Sequence, residues 1–282
     1  MPSPPSRRLV LVGALAAGVT TLGGCGVRLE DDAPHIPFVP TREPVPGESA
    51  MLAMLGSLEA SDQEYAAERA DLLRTALLDA RVPQDLLDGV TAPESAGEVV
   101  AAFEGSIRDC GAGVLPLIGR LTATHRITEH TDEELWSRPG TEAWSAGAVA
   151  ADARRATLAT IYALDLIAAR ATDERISKQV LAAGKGLRQL SVRQTTAAGE
   201  AVRPPPLGYD APHELTPQEG RDLGRRCFER LLAVYGDTFF GLGDDRVAAL
   251  EVTEWMVTVE QLSRDRFPLD VPVLYGADPT DS

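Results

Sequence analysis

The sequence predicts an all-α protein: a four-helix bundle over its C-terminal part, with an additional N-terminal helical hairpin. Three observations carry this prediction. Apolar residues from Ser49 onward recur at helical spacing. No period-2 alternation of useful length appears. Proline, glycine and capping residues fall chiefly between the apolar stripes, where they end one helix or start the next.

The first helix is expected over 49–81, with Met51, Leu52, Leu55, Leu58, Leu72, Leu73, Ala76, Leu77 and Ala80 near one stripe and Pro83 as its stop. The second is expected over 95–122. Ser95 and Glu98 stand at capping-box spacing, Val99, Val100, Phe103, Ile107, Val114, Leu117, Ile118 and Leu121 follow, and Pro116 is expected to kink it. A polar connector follows, with a short helix near 132–137 whose cap would be Thr131 and Glu134. The third helix is placed at 142–170 and the fourth at 173–198, so close together that they should be antiparallel neighbours. The segment Arg203-Pro204-Pro205-Pro206-Leu207-Gly208 forces an extended connection. The fifth helix has the clearest start: Thr216 as N-cap, Pro217 at the first helical position, Glu219 at the third. The sixth spans about 243–264 and includes Trp255 and Met256. The last four helices therefore read as two hairpins joined by one long crossover.

The chain has 282 residues, 27 basic against 42 acidic, and a net charge of -15. Lys178 and Lys185 are its only lysines. Such an acidic surface argues against a nucleic-acid partner, because phosphate binding needs a basic face. Three cysteines are too few for a disulfide scaffold or a closed cysteine zinc site.

The N-terminus reads as an export signal. Residues 1–8 include Arg7 and Arg8 and no acid, and Leu9 to Thr21 is an apolar, small-residue run. That run is shorter than the roughly 20 residues a membrane-crossing helix needs. It ends in Leu22-Gly23-Gly24-Cys25, which resembles the bacterial lipobox. The resemblance implies a diacylglycerol thioether on the Cys25 sulfur and cleavage between Gly24 and Cys25. Two acyl chains anchor stably where one does not. Loss of Arg7 and Arg8 with the signal would take the net charge from -15 to -17, so anionic headgroups would repel the body and the lipid must hold it. Ser6-Arg7-Arg8 also looks somewhat like a twin-arginine signal, and the export route stays open. The expected organisation is a signal peptide at 1–24, a lipid-anchored Pro-rich tether at 25–48, the helical hairpin at 49–140, the bundle at 141–267 and a tail at 268–282.

Residues 145–266 resemble the ferritin-like domain of unknown function found in exported proteins and lipoproteins of high-GC bacteria. The matching stretches are Leu158-Ala-Thr-Ile-Tyr162-Ala-Leu, Arg188-Gln-Leu-Ser-Val-Arg193, Pro204-Pro-Pro206 with Tyr209, and Arg225-Arg-Cys227-Phe-Glu-Arg230-Leu-Leu. The resemblance implies a fold and gives no activity. A di-iron site in such a bundle uses Glu-x-x-His pairs. The four histidines are His35, His125, His130 and His213, and none has Glu three residues before it. No metal or other cofactor is therefore expected. Asp-Ala-Pro-His occurs at both 32–35 and 210–213, which reads as coincidence in two Pro/Ala-rich loops.

Cys110 and Cys227 are the thiols left once Cys25 is acylated. Outside the cytoplasm they could form a disulfide joining the hairpin to the bundle, which is the expectation, or stay as two buried thiols. Asp165 is read as pairing with a nearby arginine, the alternative being a functional or buried carboxylate, and Glu251 with Glu254 as a solvated face near the start of the sixth helix, the alternative being an acid–base pair. The connector is read either as a partner-docking strip presented by Pro204, Pro205, Pro206, Leu207 and Tyr209, or as a simple crossover. No assembled catalytic group or nucleotide-binding fingerprint is present. The expected function is thus a non-enzymatic envelope interaction module. It would be held to the outer face of the cell membrane through acylated Cys25 and would bind an unknown envelope protein. The alternative is a ferritin-like protein that binds a small ligand or metal.

Overall fold

In the computed structural model, residues 42–129, 134–203 and 215–276 are described. The chain divides into Met1–Arg42 and Glu43–Ser282. The described residues of the second unit are helical, with no strands among them: α1 (Glu48–Ala60), α2 (Ala66–Asp79), α3 (Gln84–Asp88), α4 (Ala96–Asp109), α5 (Leu115–Glu129), α6 (Gly147–Arg170), α7 (Glu174–Ala198), α8 (Pro217–Thr238) and α9 (Arg246–Arg264).

The N-terminal part departs from the expected hairpin. The helix predicted over 49–81 breaks at Ser61, where a turn leads to Tyr65 in the left-handed region (φ 63°). The Ser61 hydroxyl accepts from the Gln63 N–H, a local bond that competes with helix continuation. The break lets both apolar runs turn inward. Met54, Leu55 and Leu58 of α1 and Leu73 and Leu77 of α2 are all buried in one core.

The helix predicted over 95–122 also divides. Ser95 caps α4 as expected, its side chain accepting from the Glu98 N–H. The helix stops at Cys110, and Gly111-Ala112-Gly113 forms the link. Pro116 lies in the first turn of α5, where its missing N–H has no helical partner to lose. It therefore starts a helix where a kink was expected. No helix forms over 134–137, and Thr131 lies outside the described residues. Instead, buried Glu104 accepts from the Ser137 N–H (2.5 Å) and hydroxyl (2.7 Å), which fixes that turn to α4.

The four C-terminal helices follow the predicted order. Trp144 N–H donates to the Ala197 carbonyl (2.8 Å), so the start of α6 lies beside the end of α7. Leu215 N–H donates to the Arg170 carbonyl (3.4 Å), so α8 begins beside the end of α6. Helices α7 and α8 thus both run antiparallel to α6. Arg193 near the end of α7 pairs with Glu254 early in α9, and Gly186 lies against Leu262 nearer the α9 end, so α9 runs against α7. The capping box at α8 is complete: Thr216 accepts from the Glu219 N–H, and Glu219 accepts from the Thr216 N–H.

Helix α9 is the hub. It packs on α4 and α5 on the N-terminal side and on α7 and α8 on the other. Ala248, Val252, Trp255, Met256 and Val259 are buried around its surface. Gly119 lets the Phe239 ring lie directly on α5, in space a Cβ would need. Beyond α9, residues 265–276 return as a strap. Arg69 donates to the Val273 (2.9 Å) and Pro272 (3.1 Å) carbonyls, and Arg120 to those of Tyr275 (2.6 Å) and Gly276 (3.1 Å). Gly236 faces the Tyr275 carbonyl so closely that any side chain there would displace the strap.

Candidate functional site

The chemically richest region among the described residues is a polar cluster inside the bundle of α6–α9, to which all four helices contribute. Thr157 of α6 shares a hydrogen bond with the Tyr235 hydroxyl of α8 (2.5 Å). Gln194 of α7 donates its amide to the same hydroxyl (2.6 Å). All three residues are buried. The Tyr235 ring lies 5.9 Å from that of Trp255 on α9, and Trp255 stacks on Trp144 at 4.7 Å. The Trp144 indole N–H donates to Glu251 Oε2 (2.8 Å), which ties the segment before α6 to α9.

Glu251 is 0% exposed. This corrects the expectation of a solvated face. Its Oε1 lies 3.9 Å from the Arg193 guanidinium, which donates at 2.8 Å to Glu254. Burial raises the Glu251 pKa, while the Trp144 bond and the Arg193 charge lower it, leaving it above the ordinary carboxylate range. Burial likewise raises the Tyr235 pKa. Four buried atoms here have no hydrogen-bond partner: Glu251 Oε1, Glu254 Oε2, Gln194 Oε1 and Trp255 Nε1. The position of Glu251 was readable in principle. It precedes Trp255 by four residues and Val259 by eight, so the three share one helical stripe.

The cluster does not fit a metal ion. The Trp144 indole N–H and the Arg193 guanidinium face its carboxylates, and these donors oppose a cation. Among the described residues no group of three or more His, Cys, Asp or Glu side chains is arranged to hold one. His125 lies within α5, and His35, His130 and His213 fall outside the described residues, as do both Asp-Ala-Pro-His segments.

The disulfide expected between Cys110 and Cys227 is not formed. Both thiols are free. Cys110 closes α4 with its sulfur toward the Ile107 carbonyl (3.8 Å), while Cys227 lines a cleft of about 730 Å³ between α6 and α8, where Ala156, Ala159 and Ala163 leave room. Burial pushes the Cys110 thiol up to about 11 and raises that of Cys227, so neither is an activated nucleophile. Asp165 is held by Arg188, both oxygens accepting at 2.6 Å. Gly24 and Cys25, and the strip Pro204, Pro205, Pro206, Leu207 and Tyr209, lie outside the described residues. No described helix is long and apolar enough to cross a membrane.

None of the family models, curated proteins or solved structures compared with this chain matches it.

Proposed function

We propose that the chain is a lipoprotein of the bacterial envelope, held at the outer face of the cell membrane by acylated Cys25, and that its helical body is a non-enzymatic interaction module. The observation that carries this reading is Leu22-Gly23-Gly24-Cys25 at the end of an apolar run that follows Arg7 and Arg8. The chemistry of that order is specific: small residues admit the peptidase, and the thiol takes the lipid. The partner is an unidentified envelope protein.

Within this reading, α6–α9 form a ferritin-like bundle. The directions of the helices support it, with α6 and α9 opposed to α7 and α8 and one long connection between the hairpins. Its centre is filled by Trp144, Trp255 and Tyr235, and its inner carboxylate is tied to an indole, which favours a structural core over a catalytic one.

The test is acylation. Cells expressing the chain with radiolabelled palmitate should yield labelled protein in the membrane fraction, and Cys25→Ala should carry no label. An unlabelled parent chain would remove the anchor. Metal analysis and an absorption spectrum of the purified protein test the second half. Stoichiometric iron or a bound chromophore would favour the alternative, a ligand- or metal-binding bundle.

A further inference from the structure

We propose that the C-terminal strap is an exchangeable occupant of a peptide groove, and that an extended segment of a partner protein, with an aromatic residue followed by glycine, takes its place. This deepens the reading of the helical body as an interaction module and rests on that reading, while the lipid anchor plays no part in it.

The seated strap shows what the groove recognises. Arg69 of α2 holds the Pro272 and Val273 carbonyls, and Arg120 of α5 holds those of Tyr275 and Gly276. All four acceptors are main-chain oxygens, so the two guanidinium forks read an extended backbone and not a particular side chain. Two positions add selectivity. The Tyr275 side chain is buried among the helices. Gly276 has φ 96°, and a Cβ there would press on the backbone of Gly236 and Asp237 in α8. The groove therefore takes an aromatic residue followed by glycine.

Three observations make the strap displaceable. From 268 to 276, no main-chain group bonds to another main-chain group among the described residues. A cavity of about 280 Å³ separates part of the strap from α5 and α9, lined by Ile127, Thr128 and Glu260 on the helices and by Leu269 and Val271 on the strap, so packing there is incomplete. The Tyr275 hydroxyl is buried with no hydrogen-bond partner, a cost of seating that a phenylalanine would avoid. Two buried guanidiniums without acceptors are costly. The strap therefore leaves most readily when another peptide supplies the same carbonyls, which favours exchange over simple opening.

The experiment is a fluorescence-anisotropy titration of the full chain in detergent. The probe is the synthetic peptide Asp270-Val-Pro-Val-Leu-Tyr275-Gly-Ala277, labelled at its N-terminus and carrying Tyr275→Phe. The tethered strap competes with it at an effective concentration of about 1 mM. Tyr275→Ala in the chain removes the strap's own aromatic anchor, and this chain should bind the peptide with a dissociation constant of about 10–100 μM, since ordering a short peptide offsets much of its contact. The parent chain should bind about tenfold more weakly. Tyr275→Phe in the chain removes the buried hydroxyl, seats the strap more firmly and should weaken peptide binding about tenfold further. A peptide that also carries Gly276→Val should not bind the Tyr275→Ala chain. Adding Arg120→Met to that chain should weaken binding about tenfold or more, with the helical spectrum unchanged. Absence of saturable binding to the Tyr275→Ala chain, equal binding of the Gly276→Val peptide, undiminished binding with Arg120→Met, or equal binding by the parent and Tyr275→Phe chains would each overturn the proposal. So would sedimentation of the parent chain as a dimer that Tyr275→Ala dissociates, which would assign the groove to the strap of a second copy. Failure of palmitate labelling would remove the anchor and leave these outcomes as they stand.

Discussion

Two buried ionisable residues carry opposite pH dependences. For Glu251, burial lifts the folded pKa above its ordinary 4.5. The folded chain then keeps a proton that the unfolded chain has released. The Glu251 contribution to stability is fullest below pH 4.5 and is lost as pH rises through the folded value. Glu251→Gln removes this titration and keeps an acceptor for Trp144. Its urea midpoint should depend less on pH than the parent's from pH 4.5 upward, and equal slopes would refute the assignment. His125 behaves in the reverse sense. Burial first, and then the charge of Arg69, depress its pKa from 6.5 to about 3. The unfolded chain takes up a proton near pH 6.5 that the folded chain refuses until about pH 3. Its contribution is therefore present above pH 6.5 and is lost as pH falls toward 3. His125→Phe preserves the stack on Phe103 and should lose less stability on acidification, as read by denaturant midpoints at stepped pH. Both residues carry sequence signals that mislead at first reading. Glu251 beside Glu254 looks like a solvated pair, and His125 falls just past the helix expected over 95–122.

At the scale of elements, the strongest local signals were the most legible. Thr216, Pro217 and Glu219 predict the start of α8 to the residue, because the capping box is closed by atoms within three positions of one another. The Thr216 backbone N–H, followed by its hydroxyl, holds the Glu219 carboxyl below its ordinary range. Thr216→Ala should cost about 1 kcal/mol of stability in chemical denaturation. It should also return the Glu219 pKa toward its ordinary value, as read by a magnetic-resonance titration. The two N-terminal helices were legible in their apolar stripes and not in their breaks. Ser61 and Pro116 are each compatible with a continued helix as well as with a new one. Which occurs depends on where the neighbouring helices offer a surface. Here α1 finds α4, and α5 finds α9.

Over the whole molecule, the return of the C-terminal strap joins sequence-distant parts. Arg69 and Arg120 are buried at 2% and 4% exposure, and each donates to strap carbonyls. A buried guanidinium without acceptors is costly, so the strap and the two arginines stabilise each other. Arg120→Met should loosen residues 265–276 and speed tryptic cleavage at Arg264 and Arg266 several-fold, with little change in helix content. Cleavage at the parent rate would mean that the strap is held by other contacts. In the sequence, residues 268–282 read as a tail, because the partners of the strap within them lie more than 150 positions away.

The sequence by itself determined the helical class, the positions of α6–α9 and the cap of α8, because these depend on spacing and on atoms a few residues apart. The tertiary structure alone decided that α9 is shared by both halves, that Glu251 is buried, that Cys110 and Cys227 stay apart, and that two arginines hold the strap. Each of these is a contact across long stretches of chain, set by which helix faces meet as the common core excludes water, and no local pattern encodes it.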